Sequence, residues 1–121
     1  MATLPPILED HFRHPRGVGR IEGAAARGRA ENPACGDVLE IEVACESGRV
    51  RDARFMAHGC SSVIAVASVV VESLAGLELA AARAFDVERA VEAAGGLPNN
   101  RRHAVFVVSR ALDAALAEEP A

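Results

Sequence analysis

Lysine, tryptophan and tyrosine are all absent from this 121-residue chain, and cysteine occurs only three times. With no lysine, all 13 basic residues are arginines, which excludes a phosphate-loop lysine and any Schiff-base chemistry. Four phenylalanines are the only aromatics, too few for a platform on which single-stranded nucleic acid could stack. The formal charge of −4 argues in the same direction, against a partner with a phosphate backbone. Met1-Ala2-Thr3-Leu4-Pro5-Pro6 has neither a basic nor an apolar leader region, so no signal peptide is read. The apolar stretch Val63–Val71 is too short to span a bilayer. A cytoplasmic protein without a membrane partner is expected. No glycine-rich phosphate loop, nucleophile elbow or paired-carboxylate motif is present, so a turnover enzyme is not expected.

What is there is half apolar, mainly Ala, Val and Leu. A chain of this length buries about two thirds of the surface it exposes when unfolded, enough for one domain over residues 1–121 without disulfides. Ile7–Phe12 reads as a short amphipathic helix that stops at His14-Pro15, since a residue before proline resists helical geometry. A first strand is expected near residues 25–31. From Asp37, Leu39, Ile41, Val43 and Cys45 alternate with Glu40, Glu42 and Glu46, the pattern of a half-buried strand. Glu46-Ser47-Gly48 is a tight turn, and Val50, Ala53, Phe55 and Ala57 form the returning strand, with a phase slip near Asp52 that a bulge explains.

After Gly59-Cys60 the period changes to that of a helix, with Val63, Ile64, Ala67, Val70, Val71 and Leu74 in one stripe and Ser61 or Ser62 as N-cap. Two shorter helices follow, over residues 79–84 and 86–94, with Asp86 capping the second. Gly95–Asn100 breaks the pattern before a last helix from about Arg101 to Ala117. The expected class is α+β: a small antiparallel sheet with helices packed on one face.

Chemistry concentrates in three stretches: Asn32-Pro33-Ala34-Cys35-Gly36-Asp37, Gly59-Cys60-Ser61-Ser62 and Arg102-His103-Ala104. The three cysteines lie 10 and 15 positions apart, an odd set that suits metal binding better than a disulfide framework. The absence of a Cys-x-x-Cys pair disfavours a thiol-redox enzyme. Cys60 falls between a strand and a helix, where the N-terminal dipole stabilises a thiolate, the form that binds metal. Cys35 sits in a turn rather than in core. Asp37 has two readings, an oxygen ligand beside Cys35 or simply the start of the strand, and the hairpin brings its end of the chain towards residue 59. His103 alone would read as a solvated or capping residue; with two cysteines nearby it completes a four-ligand set for zinc or a cluster iron. Cys45 belongs to the apolar strand face. His58 reads as a strand-end residue, and His11 and His14 are assigned no chemistry.

These motifs resemble the IscU/NifU-type iron–sulfur cluster assembly scaffolds. Asp10-His11-Phe12 with Pro15-Arg16 and Val18-Gly19 is similar to the family's opening. Asn32–Asp37 and Gly59–Ala65 resemble its first two ligand motifs, and Leu97-Pro98 through His103 stands where the third belongs. The resemblance implies a three-stranded antiparallel sheet packed by helices, with Cys35, Asp37, Cys60 and His103 as ligands of zinc, iron or a transient [2Fe–2S] cluster. It implies a cysteine desulfurase as sulfur donor and apo iron–sulfur proteins as recipients. The interval between Cys60 and His103 lacks the extra segment of the SufU branch, so the similarity is to the IscU/NifU side.

Two departures stand out. The family's third cysteine, which commonly accepts persulfide sulfur, is replaced by Ala104. A methyl group neither ligates metal nor carries sulfur, so an atypical scaffold or a zinc-stabilised interaction module without cluster chemistry are both in view. The segment resembling the Hsp70-type chaperone motif reads Leu97-Pro98-Asn99-Asn100-Arg101. It keeps a positive charge but loses the second proline that favours an extended peptide, which weakens the expectation of chaperone docking.

Overall fold

The computed structural model describes residues 4–23, 25–34 and 36–117. Three strands, β1 (Ala26–Asn32), β2 (Asp37–Glu46) and β3 (Arg49–His58), form one antiparallel sheet in the order β1-β2-β3. Five helices accompany it: α1 (Pro6–Arg13), α2 (Ser61–Leu74), α3 (Leu79–Arg83), α4 (Val87–Ala93) and α5 (His103–Ala117). The α+β class expected from the alternating periods is the class observed.

The central hairpin follows from its turn. Ser47 and Gly48 both have positive φ, 54° and 77°, the geometry whose twist matches paired strands. The register runs from Val38↔His58 to Glu46↔Arg49 and shifts between Ala44 and Cys45, so Arg51 is the extra residue of a bulge. That is the phase slip visible in the sequence.

One face of the sheet carries Leu39, Ile41, Val43, Phe55 and Ala53 into a core closed by α2 and α5. α5 lies directly over β1, and Gly28 makes this possible. A Cβ there would stand 2.1 Å from the Ala111 carbonyl oxygen and 2.2 Å from the Ala115 nitrogen, so only glycine permits so close an approach of helix to strand. α1 forms an outer layer against α2.

The opposite face is less open than its alternation suggests. Glu42, on the polar side of the pattern, is 1% exposed. The chain after α1 runs along the edge of β3, where Gly19 N–H donates to the Phe55 carbonyl and Phe55 N–H to that of Gly17. It then crosses beneath β2. There Glu42 accepts the Ile21 backbone N–H at 2.8 Å and pairs with Arg20 at 2.8 Å and Arg27 at 3.2 Å. Burial alone would push the Glu42 carboxyl up; the Ile21 N–H and the two guanidiniums outweigh it and hold the group below its ordinary value. Alternation marked the right face of the strand, but could not show that a loop covers it.

A candidate metal centre at the mouth of the hairpin

The start of β2, the end of β3 and the N-termini of α2 and α5 meet at one edge of the molecule. Asp37 opens β2 and is 1% exposed. Its Oδ1 accepts the Cys60 N–H at 3.0 Å. The N-cap position of α2 is thus Cys60 itself, with φ −75° and ψ 164°, and not Ser61 or Ser62. An aspartate distant in sequence accepts the backbone N–H of the N-cap residue, the group that the second side chain of a capping box usually takes.

Gly59 is what admits this carboxylate. A Cβ at Gly59 would lie 2.5 Å from Asp37 Oδ1. The glycine supplies room for the aspartate rather than an unusual turn conformation.

His103, the first residue of α5, completes the arrangement. A 3-10 turn over Asn99–Arg101 delivers it, a short element that the expected helix start at Arg101 ran together with α5. Its Nε2 is 3.5 Å from Cys60 Sγ and 3.4 Å from Asp37 Oδ2. The ligand atoms of Asp37, Cys60 and His103 all lie within 4.8 Å of one another. Metal–ligand bonds of about 2.0–2.3 Å set tetrahedrally place neighbouring ligand atoms roughly 3.3–3.8 Å apart. The two measured separations fall in that range. Asp37 Oδ2 is, moreover, a buried oxygen with no hydrogen-bond partner. A carboxylate oxygen pays a large desolvation penalty in such a place unless a cation satisfies it. A set of one sulfur, one nitrogen and one oxygen fits zinc or ferrous iron.

Of the four expected ligands, Asp37, Cys60 and His103 are together; Cys35 lies outside the described residues. The adjoining turn is described, with Gly36 N–H donating to the Asn32 carbonyl at 2.8 Å. The site opens into a cleft of about 740 Å³ whose lining includes Gly36, His58, Ile64 and Arg101. His58 is exposed at the end of β3, as its position in the sequence suggested. Cys45 lies in the core, where burial pushes its thiol up and away from the reactive thiolate. Ala104 is fully buried and packs into that same core, directly after the histidine.

Sequence reasoning passed over His11. It is buried, with Nδ1 2.7 Å from the hydroxyl of Ser68 in α2, and that hydroxyl also accepts the Arg16 N–H at 2.8 Å. This contact fastens α1 to α2 and explains structurally why the Asp-His-Phe opening and the Pro-Arg pair occur together. Ser68 within an otherwise apolar helical stripe was the available signal.

Comparison with known proteins identifies the family and the fold. Residues 6–120 match the family described as the NifU-like N terminal domain. The chain is 35% identical over 109 residues to the iron-sulfur cluster assembly scaffold protein IscU 1 of Archaeoglobus fulgidus, covering 90% of this chain and 71% of that one. It is 34% identical to the Escherichia coli IscU scaffold, covering 90% and 88% respectively. Against the nitrogen fixation protein NifU of Cereibacter sphaeroides it is 43% identical but spans only 44% of that longer protein. The crystal structure of a NifU-like N-terminal protein from Brucella abortus superposes with a TM-score of 0.73 at 15% identity, covering 93% of this chain and 90% of that one, a likeness of fold.

Proposed function

Because the chain belongs to the NifU-like N-terminal domain family of IscU/NifU-type scaffolds, we propose that it holds iron or a transient [2Fe–2S] cluster and releases it to apo-proteins. The single observation that carries this reading is the orphaned Asp37 Oδ2, buried beside Cys60 Sγ and His103 Nε2. In this reading the metal or cluster is cargo. Cys60 supplies a thiolate, His103 an imidazole nitrogen, and Cys35, from the turn before β2, a second thiolate. Asp37 supplies an oxygen that binds iron less tightly than sulfur does and so eases release. The open cleft suits a cargo that must arrive and leave. The domain acts as a unit over residues 1–121, with a cysteine desulfurase as sulfur donor and apo iron–sulfur proteins as acceptors. Leu97-Pro98-Asn99-Asn100-Arg101 lacks the second proline of the chaperone motif while keeping its positive charge, so Hsp70-type help is left outside the proposal. No helix among the described residues is long and apolar enough to cross a membrane.

Ala104 favours a second reading, a zinc-stabilised interaction module of the same fold without cluster chemistry. Anaerobic reconstitution with iron, sulfide and a cysteine desulfurase separates the two. A visible charge-transfer spectrum, acid-labile sulfide and transfer to an apo-ferredoxin support the scaffold. Tight zinc binding with no cluster under any condition supports the module. An Ala104→Cys variant that gains cluster when the parent has none assigns the difference to that one missing thiol.

A further inference from the structure

Two adjacent arginines precede His103, and the structure uses them differently. Arg102 turns away from the cleft to α4, where it pairs with Glu88 and, at 3.5 Å, with Glu92. Arg101 lines the cleft together with Cys60, Asp37 and His103. Among the described residues it has no acidic partner. Among these residues its side chain makes one polar contact, a long one, 3.5 Å from Nη1 to the hydroxyl of Ser62 in the first turn of α2. A guanidinium carries five N–H donors and a charge that persists at any working pH, so most of that capacity remains unspent. Among the described residues Arg101 is also the only arginine on the cleft wall, in a molecule whose net charge of −4 repels anions at long range.

We infer that Arg101 is a specificity-determining residue that draws anionic sulfur species, hydrosulfide or the sulfur-bearing thiolate end of a donor, to Cys60. The inference rests on the scaffold reading and names the charge class of what that site accepts. The physical reason is local. The Asp37 carboxylate lines the pocket beside Cys60, so an anionic sulfur donor approaches against repulsion unless a fixed cation opposes it. Arg101 is held at the pocket by the Pro98–Arg101 turn, whose Arg101 N–H donates to the Pro98 carbonyl at 2.8 Å. Arg102 cannot substitute, because two carboxylates on α4 already hold it.

The charge preference can be measured on metal-free protein, independently of whether a cluster ever forms. Cys60 is alkylated with iodoacetate, an anion, and with iodoacetamide, its neutral counterpart, and the Cys60 peptide is followed by mass spectrometry. The ratio of the two rates cancels any change in thiolate population. In Arg101→Gln the iodoacetate-to-iodoacetamide ratio falls about threefold or more in dilute buffer, and the difference shrinks as salt rises to about 1 M. Arg102→Gln leaves the ratio at its parent value, and Arg101→Lys restores most of it. An unchanged ratio in Arg101→Gln, or an equal fall in Arg102→Gln, overturns the inference. Failed reconstitution of the parent protein would instead count against the scaffold reading, while the alkylation ratio still reports on Arg101.

Discussion

β2 contains two carboxylates that are almost equally hidden, Asp37 and Glu42, each 1% exposed and on opposite faces of the strand. Glu42 is saturated: a backbone N–H and two arginines surround it, all from the chain segment that covers that face and from β1. Asp37 is not. One oxygen receives the Cys60 N–H and the other receives nothing, although a thiol and an imidazole stand close by. Folding alone explains the first group, since its charge is neutralised within the protein. The second keeps one oxygen without a hydrogen-bond donor, an arrangement that a bound cation would satisfy. Burial of an acid is therefore no sign of function; the lack of an internal partner is.

The sharpest way to break this contrast is to remove the sulfur beside Asp37. Cys60→Ser is expected to abolish most binding of zinc or ferrous iron in anaerobic titration, whereas Cys45→Ser alters stability and leaves stoichiometry intact. Equal loss in both would return Cys45 to the site. Next in size, Asp37→Asn keeps an oxygen for the Cys60 N–H but loses the charge. Metal affinity should drop by at least about a hundredfold, since disturbing even an outer-shell partner of a ligand costs about 10–100-fold, while urea unfolding of the metal-free protein shows no loss of stability. A strongly destabilised Asp37→Asn protein would mean that Asp37 is structural in the way Glu42 is.

Glu42→Ala tests the other half. It leaves the Ile21 N–H without its acceptor and separates two arginines from their shared partner, a cost of about 2–4 kcal/mol in chemical unfolding, with metal affinity unchanged. The smallest effect expected comes from His11. Burial first, and Arg16 second, lower its folded-state value below the ordinary 6.5, while Glu72 and Asp10 pull weakly the other way. The unfolded chain takes up the proton first, so stability is full above about pH 6.5 and declines as pH falls below it. Thermal melts of His11→Gln should lack this decline. Persistence of the same acid slope in His11→Gln would place the titrating group elsewhere.

Much of the scaffold was legible in the chain. The change from period 2 to period 3.6 at Gly59-Cys60 located the strand-to-helix junction, and Ser47-Gly48 located the hairpin, because both signals are local in origin. Asp86 was recognised as a cap and does accept the Arg89 N–H. The acceptor for the N-cap N–H of α2 was not legible, because it is Asp37, 23 residues earlier. The burial of Glu42 and the His11–Ser68 contact escaped for the same reason: each depends on a segment crossing another that no periodicity reports.

The order of residues by itself determined the main element types, the position of the hairpin turn and its bulge, and which side chains could serve as ligands. Side-chain chemistry and backbone preference act over a few neighbouring positions, so they are written along the chain. Only the tertiary structure decided that Asp37 is buried with an oxygen unpaired, that Gly59 makes room for it, and that Arg101 faces the cleft while Arg102 does not. Those outcomes depend on where β2, α2 and α5 come together in space, and that meeting is fixed by core packing around Gly28 and the sheet rather than by any local stretch.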